Sequence, residues 1–210
     1  MDKETVFDNR GYNALVVEGG AMRGIFSTGV LDAFLENGFN PFDICIGVSA
    51  GATNIASYLA EMYQRNYKVY TDYSIRPDFI NWIKFMKGGH LVDLDWLWDA
   101  TIREIRLDLE RIFSTKKQFF VGVTEVKTGK AVYLKPDKNN LEEIMKASSS
   151  IPVFYRNFLR INNIDFADGG LADPIPVMEA YKRNAKNIMV IRSRPYDYTM
   201  KSNSNNFLSK

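Results

Sequence analysis

The chain has 210 residues, 46% of them hydrophobic and 25% charged, with a formal net charge of +2. That length suits one domain with a full core, the balance argues against disorder, and so small a charge with no long Lys/Arg block does not point to nucleic acid. Cys45 is the only cysteine, which excludes an intrachain disulfide framework, and with His90 the only histidine a structural zinc site is not expected.

The start, Met1-Asp2-Lys3-Glu4, has no apolar signal core, and no uncharged run approaches the ~18 residues of a membrane span. The expected location is therefore the cytoplasm, with peripheral contact to a membrane surface left open. Residues 1–12 read as a polar lead-in to a buried strand, Ala14-Leu15-Val16-Val17. The strand runs into Glu18-Gly19-Gly20-Ala21-Met22-Arg23-Gly24. Phe26, Val30, Ala33 and Phe34 then fall on one face of a helix that stops at Asn37-Gly38. A second apolar strand, Ile44-Cys45-Ile46, meets Gly47-Val48-Ser49-Ala50-Gly51 and a helical stretch from Ala52 to Met62. Strand, glycine loop, helix, strand, glycine turn and helix predict a parallel α/β sheet, with both glycine segments opening on one edge.

Residues 63–115 break this rhythm and hold all three tryptophans, Trp82, Trp96 and Trp98. Phe79, Trp82, Ile83 and Met86 share a helical face. Core packing between helices is the expectation for this stripe, and a cap or acyl-chain groove is the alternative. Strands return at Phe119-Phe120-Val121-Gly122-Val123 and Ala131-Val132-Tyr133-Leu134, joined as a hairpin across Lys127-Thr128-Gly129-Lys130. A helix from Leu141 to Ser148 follows, then a short strand, Ile164-Asp165-Phe166-Ala167, that delivers Asp168-Gly169-Gly170 to a turn. Pro174 and Pro176 suit the start of a helix reaching about Asn184, and Asn187-Ile188-Met189-Val190-Ile191 is a last buried strand. Residues 196–210 form a polar, Ser/Asn-rich tail expected to be flexible.

Two motifs carry chemistry. Gly47-Val48-Ser49-Ala50-Gly51 has the spacing and context of a nucleophile elbow, in which a serine sits on a sharp strand-to-helix turn. The tight turn demands tiny residues two positions either side of Ser49, and Gly47 and Gly51 meet that demand. The loop at 19–24 is not a P-loop, since no Lys-Ser or Lys-Thr follows Gly24, nor is it a G-x-G-x-x-G. Its exposed N–H groups beside a nucleophile can instead hold an oxyanion. A serine nucleophile needs a proton acceptor. No histidine lies beyond His90, whose surroundings, Lys87-Gly88-Gly89-His90, read as a loop with a solvated or capping role. A carboxylate remains, and Asp168, between a strand and two glycines, is the best placed, although Asp-Gly-Gly alone reads as a turn.

Taken together the three segments resemble the patatin-like phospholipase family. Its G-G-G-x-R-G loop, G-x-S-x-G elbow and downstream D-G-G or D-G-A correspond to residues 19–24, 47–51 and 168–170. The Ala147-Ser148 pair with Pro152, and Asp173-Pro174-Ile175-Pro176-Val177, also look like family segments, and the likeness runs from about Ala14 to Arg194. It implies a three-layer α/β/α sandwich with a largely parallel central sheet, in one catalytic domain spanning 1–210. It further implies Ser49 as nucleophile, Asp168 as general base of a Ser–Asp dyad, and an oxyanion hole at Gly19, Gly20, Ala21 and Arg23. No cofactor and no metal are implied. The expected reaction is hydrolysis of fatty-acyl esters of lipids through an acyl-enzyme. The alternatives are a catalytically silent lipid- or acyl-binding module of the same fold, or an acyltransferase using the same dyad. One departure stands out: Ala21 replaces the third glycine of the loop, and alanine tolerates positive φ poorly.

Overall fold

The computed structural model describes residues 11–195, 197 and 198, and within them a single seven-stranded sheet. The expectations for residues 1–10, and nearly all of those for the tail, fall outside these limits. β1 (Tyr12–Val17) and β2 (Ile44–Val48) are parallel and joined through helix α1 (Gly24–Glu36). β2 passes through Ser49 into α2 (Ala50–Leu59). β3 (Gln118–Glu125) continues the parallel sheet beside β2, and β7 (Ala185–Ile191) lies parallel to β1 on its far side. β4 (Ala131–Leu134) returns antiparallel to β3 as the expected hairpin, with Gly129 at φ +68° in its turn. β5 (Leu159–Ile161) and β6 (Ile164–Asp168) form a second hairpin, of which only β6 is expected from the sequence. The two residues between them, Asn162 and Asn163, sit at φ +50° and +64°, the double left-handed turn that matches the twist of antiparallel strands. Asparagine tolerates that conformation better than most residues.

The sheet has one join that decides where the site lies. At Val121 and Gly122, β3 pairs with β2 on one edge and with β4 on the other. At Val123 and Thr124 it pairs with β4 and with β6. A strand has only two edges, so β2 and β6 occupy the same edge of β3. They run towards each other and meet end to end. Val48 opposite Gly122 is the last paired residue of β2, and Asp168 opposite Val123 is the last of β6. Gly169 must be glycine at this junction, because a Cβ there would stand 2.2 Å from the Gly122 carbonyl oxygen.

Alternation along the parallel strands divides the core into two layers. Leu15, Val17, Cys45, Phe119 and Val121 pack beneath α2 and α7 (Leu141–Ser148). Ala14, Val16, Ile44, Ile46 and Phe120 pack on the opposite face with Ala180 of α8 (Val177–Lys182). These strands read as near-continuous apolar runs because helices cover both faces. The α/β/α layering and the mostly parallel sheet are as expected, with β4, β5 and β6 as its antiparallel part.

Two expectations about helical faces are corrected. On α1 Val30 and Phe34 pack partly buried against the core as expected, but the fully buried residues are Gly24, Ser27, Thr28 and Leu31, whereas Phe26 is 60% exposed and Ala33 is also exposed. Small and polar residues turn inward here because α1 packs closely on α2. Asn54 donates to the Gly24 carbonyl and the Ser27 hydroxyl, both at 2.8 Å. The second correction falls in the irregular segment, which comprises α3 (Arg65–Lys68), a π-helical turn Val69–Tyr73, α4 (Trp82–Met86), α5 (Leu94–Ile105) and α6 (Leu109–Ser114). Asn81 caps α4 by accepting from the Lys84 N–H, so that helix begins only after Phe79. Phe79 is core, but Trp82, Ile83 and Met86 are 64%, 63% and 78% exposed. The core reading does hold for Trp98, which is partly buried against the main core and donates its indole N–H to the Glu142 carbonyl at 2.9 Å.

The strand junction generates a paired stability prediction. Gly169→Ala forces a methyl group into a backbone carbonyl and is expected to lower stability by at least the ~1–3 kcal/mol typical of overpacking. Gly29→Ala, on the exposed face of α1 with nothing within 4 Å of the new Cβ, is expected to raise stability by about 0.5–1 kcal/mol. Thermal melts of the two variants against the parent check both signs.

Candidate active site

Ser49 occupies the sharp turn between β2 and α2 at φ +53°, ψ −126°, a conformation costly for a residue with a Cβ. Both of its backbone groups are held. Its carbonyl accepts from the N–H of Ala52 at 3.0 Å and of Thr53 at 3.3 Å, the first bonds of α2. Its own N–H donates to the Ser148 hydroxyl at 2.7 Å. The flanking glycines are required as the motif implies. A Cβ on Gly47 would stand 2.6 Å from the Cα of Ala52, and one on Gly51 would stand 2.4 Å from the Val17 carbonyl oxygen. The turn thus closes on the end of β1 and on the start of its own helix.

Asp168 reaches the same place from the opposite direction, at the end of β6, and is 6% exposed. Its N–H donates to the Ser150 carbonyl at 3.0 Å, its carbonyl accepts from the Thr124 hydroxyl at 2.8 Å, and Oδ1 accepts from the Gly170 N–H at 2.7 Å. Oδ2 is buried and has no hydrogen-bond partner. Burial pushes the carboxyl up to about 6, against weaker opposing contributions from the nearby Ser49 hydroxyl and from the Gly170 N–H. The hydroxyl is close enough to favour the ionised carboxylate, yet no well-formed Ser49–Asp168 hydrogen bond is made in this conformation.

The glycine loop packs against the elbow from the β1 side. A Cβ on Gly19 would stand 3.3 Å from that of Ser49, and one on Gly24 would stand 2.2 Å from the Tyr70 hydroxyl oxygen and 2.9 Å from the Cβ of Ala50. The Gly19 N–H donates to the Pro174 carbonyl at 3.4 Å, and the Arg23 N–H closes the turn onto Gly20 at 3.0 Å. The N–H groups of Gly20, Ala21 and Met22 make no hydrogen bond among the described residues. Ala21 sits at φ +46°, the strained position that glycine would fill without cost. Arg23 is exposed, and its guanidinium has no partner among the described residues.

These elements open on a cavity of about 410 Å³ whose wall includes Ser49, Ala50, Ala21 and Met22. Its other side is built by the irregular segment, including Phe79, Trp82 and Trp98. The groove alternative for that segment is therefore the one its position favours. Two groups at the site escape the sequence reading. The Ala50 N–H, immediately after the serine and without a partner among the described residues, follows from the elbow motif. Ser148, half of a pair noted only as a family segment, has no local signal of its role. His90 lies apart. Its ring stacks on Tyr155 at 4.3 Å between centroids, and Nδ1 accepts from the Arg156 N–H at 2.9 Å, a loop-holding arrangement. The Cys45 thiol is fully buried and pushed up to about 12, which leaves it chemically quiet. No group of three or more His, Cys, Asp or Glu able to hold a metal occurs among the described residues.

A mostly parallel α/β sheet with a strained serine at a strand-to-helix turn, opening on an apolar cavity, defines the nucleophile-elbow class of α/β protein. The family model for patatin-like phospholipase matches residues 15–181, and the chain belongs to that family. It is similar to a protein of Escherichia coli strain K12 described as uncharacterized protein YjjU, at 40% identity over 185 residues, covering 87% of this chain and 52% of that one. Its fold is similar to the crystal structure of VipD from Legionella pneumophila, with a TM-score of 0.58 at 15% identity, covering 88% of this chain and 50% of that one. The chain thus spans about half the length of these relatives.

Strain at the elbow is open to a direct test. Ser49→Gly removes the Cβ that disfavours positive φ, and Ser49→Ala retains it. The ~1–3 kcal/mol cost of holding a residue with a Cβ in this sparsely populated region outweighs the ~0.5–1 kcal/mol entropic cost of glycine. The glycine variant is expected to melt above the alanine variant, and equal melting temperatures would show that the turn is unstrained.

Proposed function

We propose that the protein is a serine acyl hydrolase that cleaves fatty-acyl ester bonds of lipids by a Ser49–Asp168 dyad. Membership of the patatin-like phospholipase family supports lipid acyl hydrolysis in general terms. The observation that carries the finer reading is the unpartnered Oδ2 of Asp168, buried where β6 ends against the elbow. A buried acceptor without a donor is costly, and the Ser49 O–H is the donor that the chemistry requires. In this reading Ser49 Oγ attacks the acyl carbonyl carbon and its proton passes to Asp168. The carbonyl π electrons move onto oxygen, and that oxyanion is met by the unpaired N–H groups of Gly20, Ala21 and Ala50. Collapse expels the alcohol, which takes the proton from Asp168. Water then attacks the acyl-enzyme by the same steps, and the fatty acid leaves.

A carboxyl pushed up to about 6 suits this task. It is ionised at neutral pH, yet basic enough to share a proton with an attacking hydroxyl. The rate of ester hydrolysis is expected to rise through about pH 6, and that limb is expected to survive His90→Ala. Asp168→Asn keeps the Oδ1 acceptor for Gly170 and is expected to lose about 10²–10⁴-fold in turnover. Stability should move the other way. A buried carboxyl raised above its unfolded value stabilises the fold only while protonated, and that contribution is lost as pH rises through about 6. Asp168→Asn should therefore melt above the parent at pH 8, by about 1–3 kcal/mol in stability. Retained turnover in a folded Asp168→Asn variant, with activity lost in His90→Ala, would overturn the dyad.

The cavity mouth supports a peripheral lipid contact. Met22, Ile80, Trp82 and Phe154 each line the cavity and are also exposed, by 45%, 40%, 64% and 44%. Ile83 and Met86 extend the apolar rim along α4, and no helix among the described residues is long and apolar enough to cross a membrane. A rim of this kind lets an ester pass from a lipid surface to Ser49 without crossing water. Anionic vesicles are expected to shift tryptophan fluorescence to the blue, and Trp82→Ala is expected to remove most of that shift. A full shift in Trp82→Ala would place the contact elsewhere.

A further inference from the structure

The elbow depends on a serine that is not part of the dyad. Ser148, at the end of α7, is fully buried. Its hydroxyl accepts from the Ser49 N–H at 2.7 Å and donates to the Gly122 carbonyl at 2.6 Å. The β2–β3 ladder ends at Val48 opposite Gly122, and this hydroxyl carries it one step further, into the gap where β2 meets β6. Two residues on, the Ser150 carbonyl accepts the Asp168 N–H at 3.0 Å. One short segment therefore holds the backbone of both reactive residues.

We propose that Ser148 is a positioning residue that fixes Ser49 for attack by occupying its N–H, so that the oxyanion is met only by donors outside that residue. The inference rests on the reading of Ser49 as nucleophile. A strained residue persists only where its surroundings over-determine it. The start of α2 holds the carbonyl of Ser49, and among the described residues Ser148 alone holds its N–H. Without that bond, rotation about φ is released on the strand side and Oγ swings away from Asp168. Displacement of a nucleophile by about 1 Å costs roughly 10²-fold in rate. The same bond withdraws the Ser49 N–H from the cavity, which leaves Ala50 on α2 to face Gly20 and Ala21 across the acyl carbon.

The test compares Ser148→Ala with Ser150→Ala in the full chain. Ser150 is equally buried, and Ser150→Ala removes just the hydroxyl that donates to the Ala147 carbonyl at 2.7 Å while keeping the backbone carbonyl that holds Asp168, so it controls for general loosening. Ser148→Ala is expected to lower kcat for a nitrophenyl ester, and the rate of Ser49 labelling by an organophosphonate, by roughly 10²-fold. KM should stay within about threefold and the limb near pH 6 should not move, because the cavity wall and Asp168 are untouched. Ser150→Ala is expected to keep near-parental kcat. Amide hydrogen exchange gives a readout that does not depend on catalysis. The Ser49 N–H should be protected in the parent and in Ser150→Ala, and exposed in Ser148→Ala. Should Ser148→Ala not fold, Ser148→Cys keeps the shape with a weaker hydrogen bond and should show the same losses in smaller measure. A folded Ser148→Ala with parental kcat, or equal losses in Ser150→Ala, would overturn the proposal. A parent that neither turns over esters nor reacts with phosphonate would instead defeat the nucleophile reading, and the exchange result would still decide whether Ser148 holds the turn.

Discussion

Two strands sharing one edge of β3 is the constraint on which the rest of the site depends. β3 is eight residues long, and its edge is divided between β2 and β6, which approach from opposite ends. Parallel and antiparallel pairing on a single edge cannot continue through the point where they meet. The ladder must stop there, and the backbone groups it leaves must find other partners. Ser148 supplies one such partner, Thr124 a second and Ser150 a third. Where a ladder stops, side chains at both strand ends are free to turn out of the sheet. Ser49 and Asp168 are the residues at those two ends. Their proximity is thus a property of sheet topology, and it holds across 118 residues of intervening chain because one strand, β3, borders both strand ends.

The electrostatics follow from the same junction. Asp168 enters a place already filled by strands and by α7, so it is buried on arrival, and burial is the largest influence on its ionisation. The influences on this carboxyl are burial, the Ser49 hydroxyl and the Gly170 N–H, with no cation among the described residues offsetting them. An aspartate in water, near 3.9, is too weak a base for serine chemistry at neutral pH. In the proposed dyad, a carboxyl raised to about 6 takes the place of a histidine. The price is stability at neutral pH, and the hydrogen bonds to the backbone of Asp168 hold the residue against it.

Much of this was legible in the sequence, for reasons that differ between elements. β1, β2 and β3 are buried on both faces, so their apolar runs stand out whatever the register, whereas β7, expected as a buried strand, is an edge strand with only Ala185 and Ile191 buried. Gly47 and Gly51 are forced by backbone contacts under 3 Å, and constraints that hard leave a readable pattern. α1 misled in part: Val30 and Phe34 do pack on the core, but its first turns turn Gly24, Ser27 and Thr28 inward, where close helix approach outranks hydrophobicity. β5 was missed although Asn162-Asn163 between Ile161 and Ile164 is itself a hairpin signal, because three residues are too short for any periodicity. The shared edge of β3 could not be read at all. Nothing in a linear pattern says which edge a strand takes. Ser148 is hidden for the same reason, since a serine ending a helix has many ordinary uses.

The aromatic segment shows how hydrophobic patterning and function diverge in one stretch of chain. Phe79, Leu94 and Leu97 form a small core of their own with Tyr73 and Tyr155, which gives the segment internal support. That support lets α4 stand clear with Trp82, Ile83 and Met86 in solvent, an arrangement that five helical residues do not sustain alone. Lys84 on the same short helix pairs with Asp93, the residue that caps α5, and so ties the exposed helix back to that core. The apolar side chains are therefore held outward by design of their anchors, in contrast to a loose loop that would fold them inward. Because Trp82 also lines the cavity, the exposed rim and the route to Ser49 are one continuous apolar surface. Exposure that a core model counts as a defect is, on the proposed reading, the entrance to the site.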